Sequence, residues 1–426
     1  MSRRADHRTF QAFLVDFVDY GIAMSAVSMA TYLPLFLRIN GASNVVIGLI
    51  PAAFAAGRMT GLLAAPRLEC RSLIRRWMIS AMLVERFPLF LCGVWILASA
   101  GYRPELVVAG VMLLWTVYSL CNGWASTAWG AFAARALIPP ERGKLSGLGN
   151  ALGALSGLAV VPLVREAIGR YGLPLGYGSA VTLAGLLLTG SALIFLRASE
   201  EPYPHLKPRV GLADYFRQIA PVLRGDRRFC WFLAVMGLWL AGTTGIAYFT
   251  VYAMDRFQAG PTAVMGYTIA MALGSGIAGL VGGQAAGRGG FSRVFLVGIG
   301  LIAGSMLAAF AALQSWWIYL AFALAGAGAT ASWMGVVNLP LELAAHQDVP
   351  TYAAVAALVR GPVGALSPLM AGIYLERFAY PPLFLVCAGI SLLAGLLLVR
   401  FVGEPRRDAV AVPPAVTSLT DERGPK

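Results

Sequence analysis

RASEEPYPHLKPRVGLADYFRQIAPVLRGDRR, residues 197–228, is the long polar break in an otherwise apolar chain. It holds prolines, charges of both signs and a short amphipathic stretch at 212–223. On its N-terminal side six apolar runs of helix-spanning length follow one another, at 11–37, 44–66, 77–99, 105–134, 144–164 and 175–196. On its C-terminal side there are six more, at 229–254, 263–286, 292–312, 316–339, 352–374 and 382–402. A membrane-spanning helix needs ~20 predominantly apolar residues, and each run supplies them. The pattern shows none of the strict alternation of a membrane β-barrel. It predicts an all-α membrane protein of twelve spans, divided six and six by a linker.

Composition agrees. Of 426 residues, 58% are hydrophobic and 12% charged, and the mean hydropathy is +0.71. An ordinary soluble domain is about 45–50% apolar and about 25% charged. These values exclude a disordered chain, a disulfide-stapled secreted fold and nearly every soluble enzyme. The formal net charge is +13. The basic residues sit in short loops, which makes them topology signals rather than a nucleic-acid surface. Arg3, Arg4 and Arg8, then Arg67, Arg71, Arg75 and Arg76, then Arg135, Arg142 and Lys144 fall on one side, together with the basic residues of the linker and tail. The other side carries only Arg38, Arg103, Arg165, Arg170, Arg256 and Arg377. The asymmetry places both termini in the cytoplasm. The loop at 340–350 departs from it, with Glu342 and Asp348 but no Lys or Arg. The basic start MSRRADHR precedes an apolar run that holds Asp16 and Asp19, so that run reads as a retained span and not a cleaved signal. The domain reading is a cytoplasmic segment at 1–10, a bundle at 11–196, the linker 197–228, a second bundle at 229–402 and a disordered tail at 403–426.

Cys70, Cys92, Cys121, Cys230 and Cys387 are scattered, and His7, His205 and His346 lie far apart. Neither set has metal-ligand or redox spacing, so no metal or cofactor is expected. No Walker loop is present, and no nucleophile is paired with a base, so neither ATP hydrolysis nor enzymatic chemistry is expected.

The halves repeat each other. GLLAAPR at 61–67 ends the second span, and GQAAGR at 283–288 ends the eighth. Pro140 precedes the fifth span as Pro350 precedes the eleventh. Parallel repeats related by an axis along the membrane normal are a transporter plan, with the binding site near the midplane between them. Twelve spans, the six-plus-six split and the repeated loop resemble the major facilitator superfamily of secondary transporters. Its loop motif reads roughly G-x-L-A-D-R-x-G-R-R. Gly61, Leu63, Ala64, Arg67 and Arg71 fit the first copy, and Gly283, Ala286, Arg288, Gly290 and Arg293 the second. Ala65 and Gly287 stand where the motif has its aspartate, so the resemblance does not carry over the cytoplasmic latch normally built on that residue. IPPERGKLSGLGNALG (138–153) is similar to the family's loop before the fifth span. The antiporter-type Gly-Pro is absent from that span and occurs instead at Gly361-Pro362. The resemblance implies two six-helix bundles related by pseudo-two-fold symmetry.

Six charges lie inside spans: Asp16 and Asp19 in the first, Arg58 in the second, Glu85 and Arg86 in the third, and Arg360 in the eleventh. Each costs roughly 2.5–3.5 kcal/mol at a bilayer centre even on the gentlest scale, so they must face the bundle interior. Asp16 and Asp19 share a helix face that Tyr20 and Ala23 extend. Two adjacent carboxyls suit a proton carrier; equally, they pair structurally with Arg58 or Arg86. Glu85 and Arg86 point about 100° apart on their helix, so each reaches a partner on another span, Glu85 to a basic group and Arg86 to Asp16 or Asp19. Arg58 is near enough to a helix end to snorkel. Arg360 has no acid in its own span; it either binds an anionic solute group or pairs with Glu342 or Asp348.

By the resemblance, spans one, four, seven and ten line a central cavity. Span four offers Trp115, Tyr118, Asn122, Trp124 and Trp129. Span seven offers Trp239, Thr243, Thr244 and Tyr248, and span ten Trp333 and Asn338. Aromatics with a few amides and hydroxyls suit planar, partly apolar molecules; the alternative is that several tryptophans face lipid, as Trp316 and Trp317 do at the interface. The stretch 242–245, GTTG, loosens span seven. Glycine rows at Gly149, Gly153 and Gly157 and at Gly279, Gly283 and Gly287 allow close helix contact, which the resemblance implies between spans five and eight. The expected function is alternating-access transport of a small organic solute, amphipathic or anionic, coupled to protons through Asp16, Asp19 or Glu85. The setting is a cytoplasmic membrane, the partners are the solute, protons and lipid with no nucleic acid, and the chain acts as a monomer. A uniporter and a non-transporting assembly factor of the same fold are the alternatives.

Overall fold

The computed structural model describes residues 7–99, 101–203, 225–343 and 349–404. Asp348, most of the linker and all but the start of the tail lie outside them. Among the described residues the regular structure is entirely helical, and eleven helical stretches are long and apolar enough to cross a membrane. One of these holds two spans. The helix Pro139–Ile194 runs for 56 residues, which would be ~84 Å if straight, far beyond a ~30 Å hydrocarbon core. It breaks at Gly172, where φ is 79° and ψ 165°, a backbone that only glycine adopts readily. Beyond the break the chain doubles back and Gly176 lies against Ala167 and Ile168. The arms on either side of Gly172 are the fifth and sixth spans, and the total is twelve, six in each half.

Two pseudo-equivalent spans are interrupted. The first runs His7–Val27 and then Tyr32–Ile39, with Ser28 at φ 44° between them. The seventh runs Arg227–Gly242 and then Phe249–Phe257, joined by the 3-10 segment Thr243–Tyr248, where the glycines loosen the helix. Each half also ends on a glutamate that caps its own third span. Glu200 Oε1 accepts from the backbone N–H of Ile74 (2.5 Å) and of Arg75 (3.0 Å). Glu404 Oε2 accepts from Ser292 N at the start of the ninth span (3.2 Å). Carboxylates at helix N-termini satisfy orphan donors and meet the positive dipole end.

The glycine row of span five does not serve the place implied for it. Added Cβ atoms at Gly149 and Gly157 would strike Phe17 and Ser25, and one at Gly21 would come 2.5 Å from the carbonyl oxygen of Gly153. The row therefore closes span five onto span one of the same half. In span eight, a Cβ at Gly283 would meet nothing within 4 Å. Overpacking a tight helix contact costs roughly 1–3 kcal/mol. Gly21→Ala lowers the thermal unfolding midpoint accordingly, whereas Gly169→Ala, where nothing lies within 4 Å, leaves it unchanged or raises it. Equal midpoints for the two variants would contradict this packing.

The halves are pinned together at the end opposite the chain termini. There Arg38 Nη2 meets Asp255 Oδ2 at 2.7 Å, Asn44 Nδ2 donates to Leu375 O at 3.1 Å, and Val45 N donates to Glu376 Oε1 at 3.2 Å. Thr31 and Thr268 share a hydroxyl bond of 2.7 Å, and Thr250 Oγ1 donates to Ala30 O at 2.8 Å. Spans two and eleven stay in contact from Gly48, which abuts Pro368, down to Met59 against Gly361.

Candidate functional site

The intramembrane charges converge on one level. Counted from the helix ends on the side of the chain termini, Asp16, Glu85, Arg86, Asn122, Arg58, Trp333 and Arg360 lie about 9–14 residues in, or ~14–21 Å along the helix axes. Four spans of the N-terminal half build the first part. Arg86 Nη2 pairs with Asp16 Oδ1 at 2.6 Å, with side chains only 4% and 6% exposed. Arg86 Nη1 donates to Leu188 O (2.6 Å) and to Ser191 Oγ (2.8 Å) in the sixth span. The Ser191 hydroxyl donates to Asp16 Oδ1 (2.9 Å), and Trp129 Nε1 donates to Asp16 Oδ2 (2.9 Å). Asp16 thus has a cation and two further hydrogen bonds, which is what a buried charge requires. Asp19, half-buried one turn on, has no ion pair or hydrogen bond among the described residues.

Glu85 is placed differently. Its carboxyl is buried and accepts from Asn122 Nδ2 at 2.6 Å. No cation lies within ion-pair distance among the described residues. Tyr20 joins this group, its phenol lying in the fields of Glu85 and Arg58. Arg58 pairs with neither aspartate. Its guanidinium lies 5.7 Å from the ring centroid of Phe54 and 5.7 Å from that of Trp333 in the other half. Arg360 approaches the same Trp333 ring at 5.4 Å.

The remaining cavity-lining candidates are more deeply packed. Trp115 donates from Nε1 to Ile50 O (3.0 Å) and stacks on Phe54. Trp239 is buried against Phe295, and Tyr248 donates to Pro368 O at 2.6 Å. Thr243 bonds Leu240 O, Thr244 bonds Ser367 Oγ, and Asn338 bonds Met334 O of its own helix. Trp124 lies outward against Trp77, with Arg67 over its face. The participants that sequence reading missed are Ser191 and the Leu188 carbonyl. A small hydroxyl in mid-span, within TGSALI, was the available signal for the first; a backbone acceptor leaves none.

A twelve-span helical bundle, with polar side chains held at mid-depth between two six-helix halves, has the build of a membrane transporter. The chain belongs to the major facilitator superfamily: the Major Facilitator Superfamily profile matches residues 12–368 and 247–421. No curated protein matches it in sequence. Among solved structures it is similar to the nucleoside transporter NupG in a D323A mutant, with a TM-score of 0.68, 12% identity, and 93% of this chain and 100% of that one covered. It is also similar to the xylose transporter XylE from E. coli in a partially occluded inward-open conformation (TM-score 0.68, 14% identity, 94% and 98% covered). A third is the human organic anion transporter MFSD10 (TETRAN), with a TM-score of 0.64, 14% identity, and 92% and 99% covered. At such identities the likeness is one of fold. The protein is a multi-pass membrane protein of this superfamily of transporters.

Proposed function

We propose that the chain is a proton-coupled, alternating-access transporter of a small organic solute, amphipathic or anionic, acting as a monomer in the cytoplasmic membrane with both termini in the cytoplasm. The observation that carries the coupling is Glu85. A buried charge without a counter-ion is costly, so a carboxyl that among the described residues is held by Asn122 alone, at 2.6 Å, is suited to take up and release a proton as the halves move. Asp16 is occupied by Arg86 and is the fixed charge of the group, while Asp19 is a second proton site of the same helix face. The basic loops on the side of the termini support the orientation. The solute binds at the common level of Tyr20, Arg58, Trp333 and Arg360, between the halves. Trp239, Thr243, Tyr248, Trp115 and Asn338 back this region from their own halves.

Proteoliposomes test the reading. One pH unit is worth ~1.4 kcal/mol, so an inward gradient of that size drives about tenfold accumulation per coupled proton. Pools of organic solutes offered to the purified chain give one that accumulates with the gradient in the wild type. In Glu85→Gln that solute still equilibrates but no longer accumulates. Wild-type flux that ignores the gradient makes the protein a uniporter, and gradient-driven accumulation by Glu85→Gln removes Glu85 from the coupling.

A further inference from the structure

Arg58 and Arg360 belong to different halves, yet both lie over one ring. Their guanidinium carbons sit 5.7 Å and 5.4 Å from the Trp333 centroid. Neither makes an ion pair or hydrogen bond among the described residues. Each stands in the other's repulsive field. Arg58 is exposed, and Trp333 keeps 43% of its surface open. Every other cation at this depth is satisfied: Arg86 has a carboxylate, a carbonyl and a hydroxyl. Two unsatisfied guanidiniums held at mid-membrane depth are costly in an empty site and are matched by one carboxylate, which accepts from planar forks on both sides. The exposed part of the Trp333 indole beside them adds a surface for a flat ring.

We propose that Arg58, Trp333 and Arg360 form the binding site for an aromatic or heteroaromatic carboxylate, whose anionic group bridges the guanidiniums of the two halves while its ring lies on Trp333. The inference rests on the transporter reading and narrows its substrate to planar organic anions. It also gives the solute a mechanical part. An anion shared by spans two and eleven offsets the repulsion between the halves at this level, where Met59 already lies against Gly361, and strengthens the contact there. A neutral solute of the same shape does not.

The test uses the full chain in neutral detergent, with benzoate, salicylate, nicotinate and indole-3-acetate as probes and benzamide as the uncharged control. At least one carboxylate raises the unfolding midpoint and quenches tryptophan emission, and benzamide does neither. Arg58→Gln and Arg360→Gln each weaken that carboxylate about ten- to a hundredfold, the loss expected for one charged hydrogen-bonding partner. Both variants unfold without ligand at or above the wild-type midpoint, because each removes a repulsion. Equal affinity in wild type and both variants, equal response to benzamide, or no carboxylate response at all overturns the site. So does a midpoint shift produced only by phosphatidylglycerol in nanodiscs, which assigns the arginines to a lipid headgroup. Gradient-driven flux of some other solute, with no carboxylate bound, sinks this inference and leaves the transporter reading standing. Carboxylate binding lost in the Gln variants, without flux of any solute, upholds the site and sinks the transporter reading.

Discussion

Asp16→Ala lowers the unfolding free energy by roughly 3–5 kcal/mol, the cost of stripping one partner from a buried ion pair. The loss is this large because Arg86 stays behind. Its side chain is 4% exposed, and after the substitution it keeps Leu188 O and Ser191 Oγ but no counter-charge. The Trp129 indole N–H loses its acceptor at the same time, and an unsatisfied donor adds to the penalty, while the Ser191 hydroxyl keeps Leu188 O at 3.0 Å. Asp16→Asn, which keeps the shape and some of the acceptors, falls between wild type and alanine. The double substitution Asp16→Leu with Arg86→Met removes both charges, and apolar replacement of a whole buried pair is often neutral or better, so it recovers most of the stability. Denaturant titration in mixed micelles, followed by near-ultraviolet circular dichroism, measures all four. A cost below ~1 kcal/mol for Asp16→Ala, the range of an exposed pair, would show that water reaches this group.

Much of the fold was legible because a bilayer reduces the problem to length and polarity. Twelve runs of sufficient length, one polar divider and one repeated loop specify spans, halves and symmetry. The site was legible in its parts more than in its connections. The cost of an intramembrane charge singled out Asp16, Arg58, Glu85, Arg86 and Arg360, and two candidate partners were left for Arg86. Choosing Asp16 needed the sixth span, whose Ser191 and Leu188 carbonyl orient the guanidinium. Glu85 was expected to seek a base, and it meets an amide, Asn122, instead. Arg58 was expected near the aspartates, and its side chain instead crosses to Trp333 of the other half. Hydrophobic periodicity assigns a side chain to the interior of the bundle but not to a neighbour there. The pairs at the closed end, such as Arg38 with Asp255 and Thr31 with Thr268, are more than 200 residues apart in sequence. No local pattern joins them.

Asp255→Ala shifts the resting conformation toward one open at the end opposite the chain termini. Asp255 is the hub of that closure. Its carboxylate takes two bonds from Arg38, Nε to Oδ1 at 3.3 Å and Nη2 to Oδ2 at 2.7 Å, and it accepts a third from the Tyr380 hydroxyl at 2.8 Å. Tyr380 also lies 3.0 Å from Asn44 Oδ1, so the same hub steadies the contact between spans two and twelve. Arg38 and Asp255 are 29% and 34% exposed, and a pair that open contributes ~1 kcal/mol at most. The tyrosine bond joins two spans of the same half and positions the carboxylate without crossing the closure, so the Arg38 pair alone biases the equilibrium by about fivefold at most. A bias of that size exists only if the bonds form in one conformation and break in the other. Spin labels at the outer ends of spans one and seven, read by double electron–electron resonance, give a single short distance in wild type and a second, longer population in Asp255→Ala. Asp255→Glu, which retains the charge, keeps most of the short population. An unchanged distance distribution in Asp255→Ala would mean that the apolar contacts of spans two and eleven, from Gly48 at Pro368 to Met59 at Gly361, hold that end shut without the ion pair.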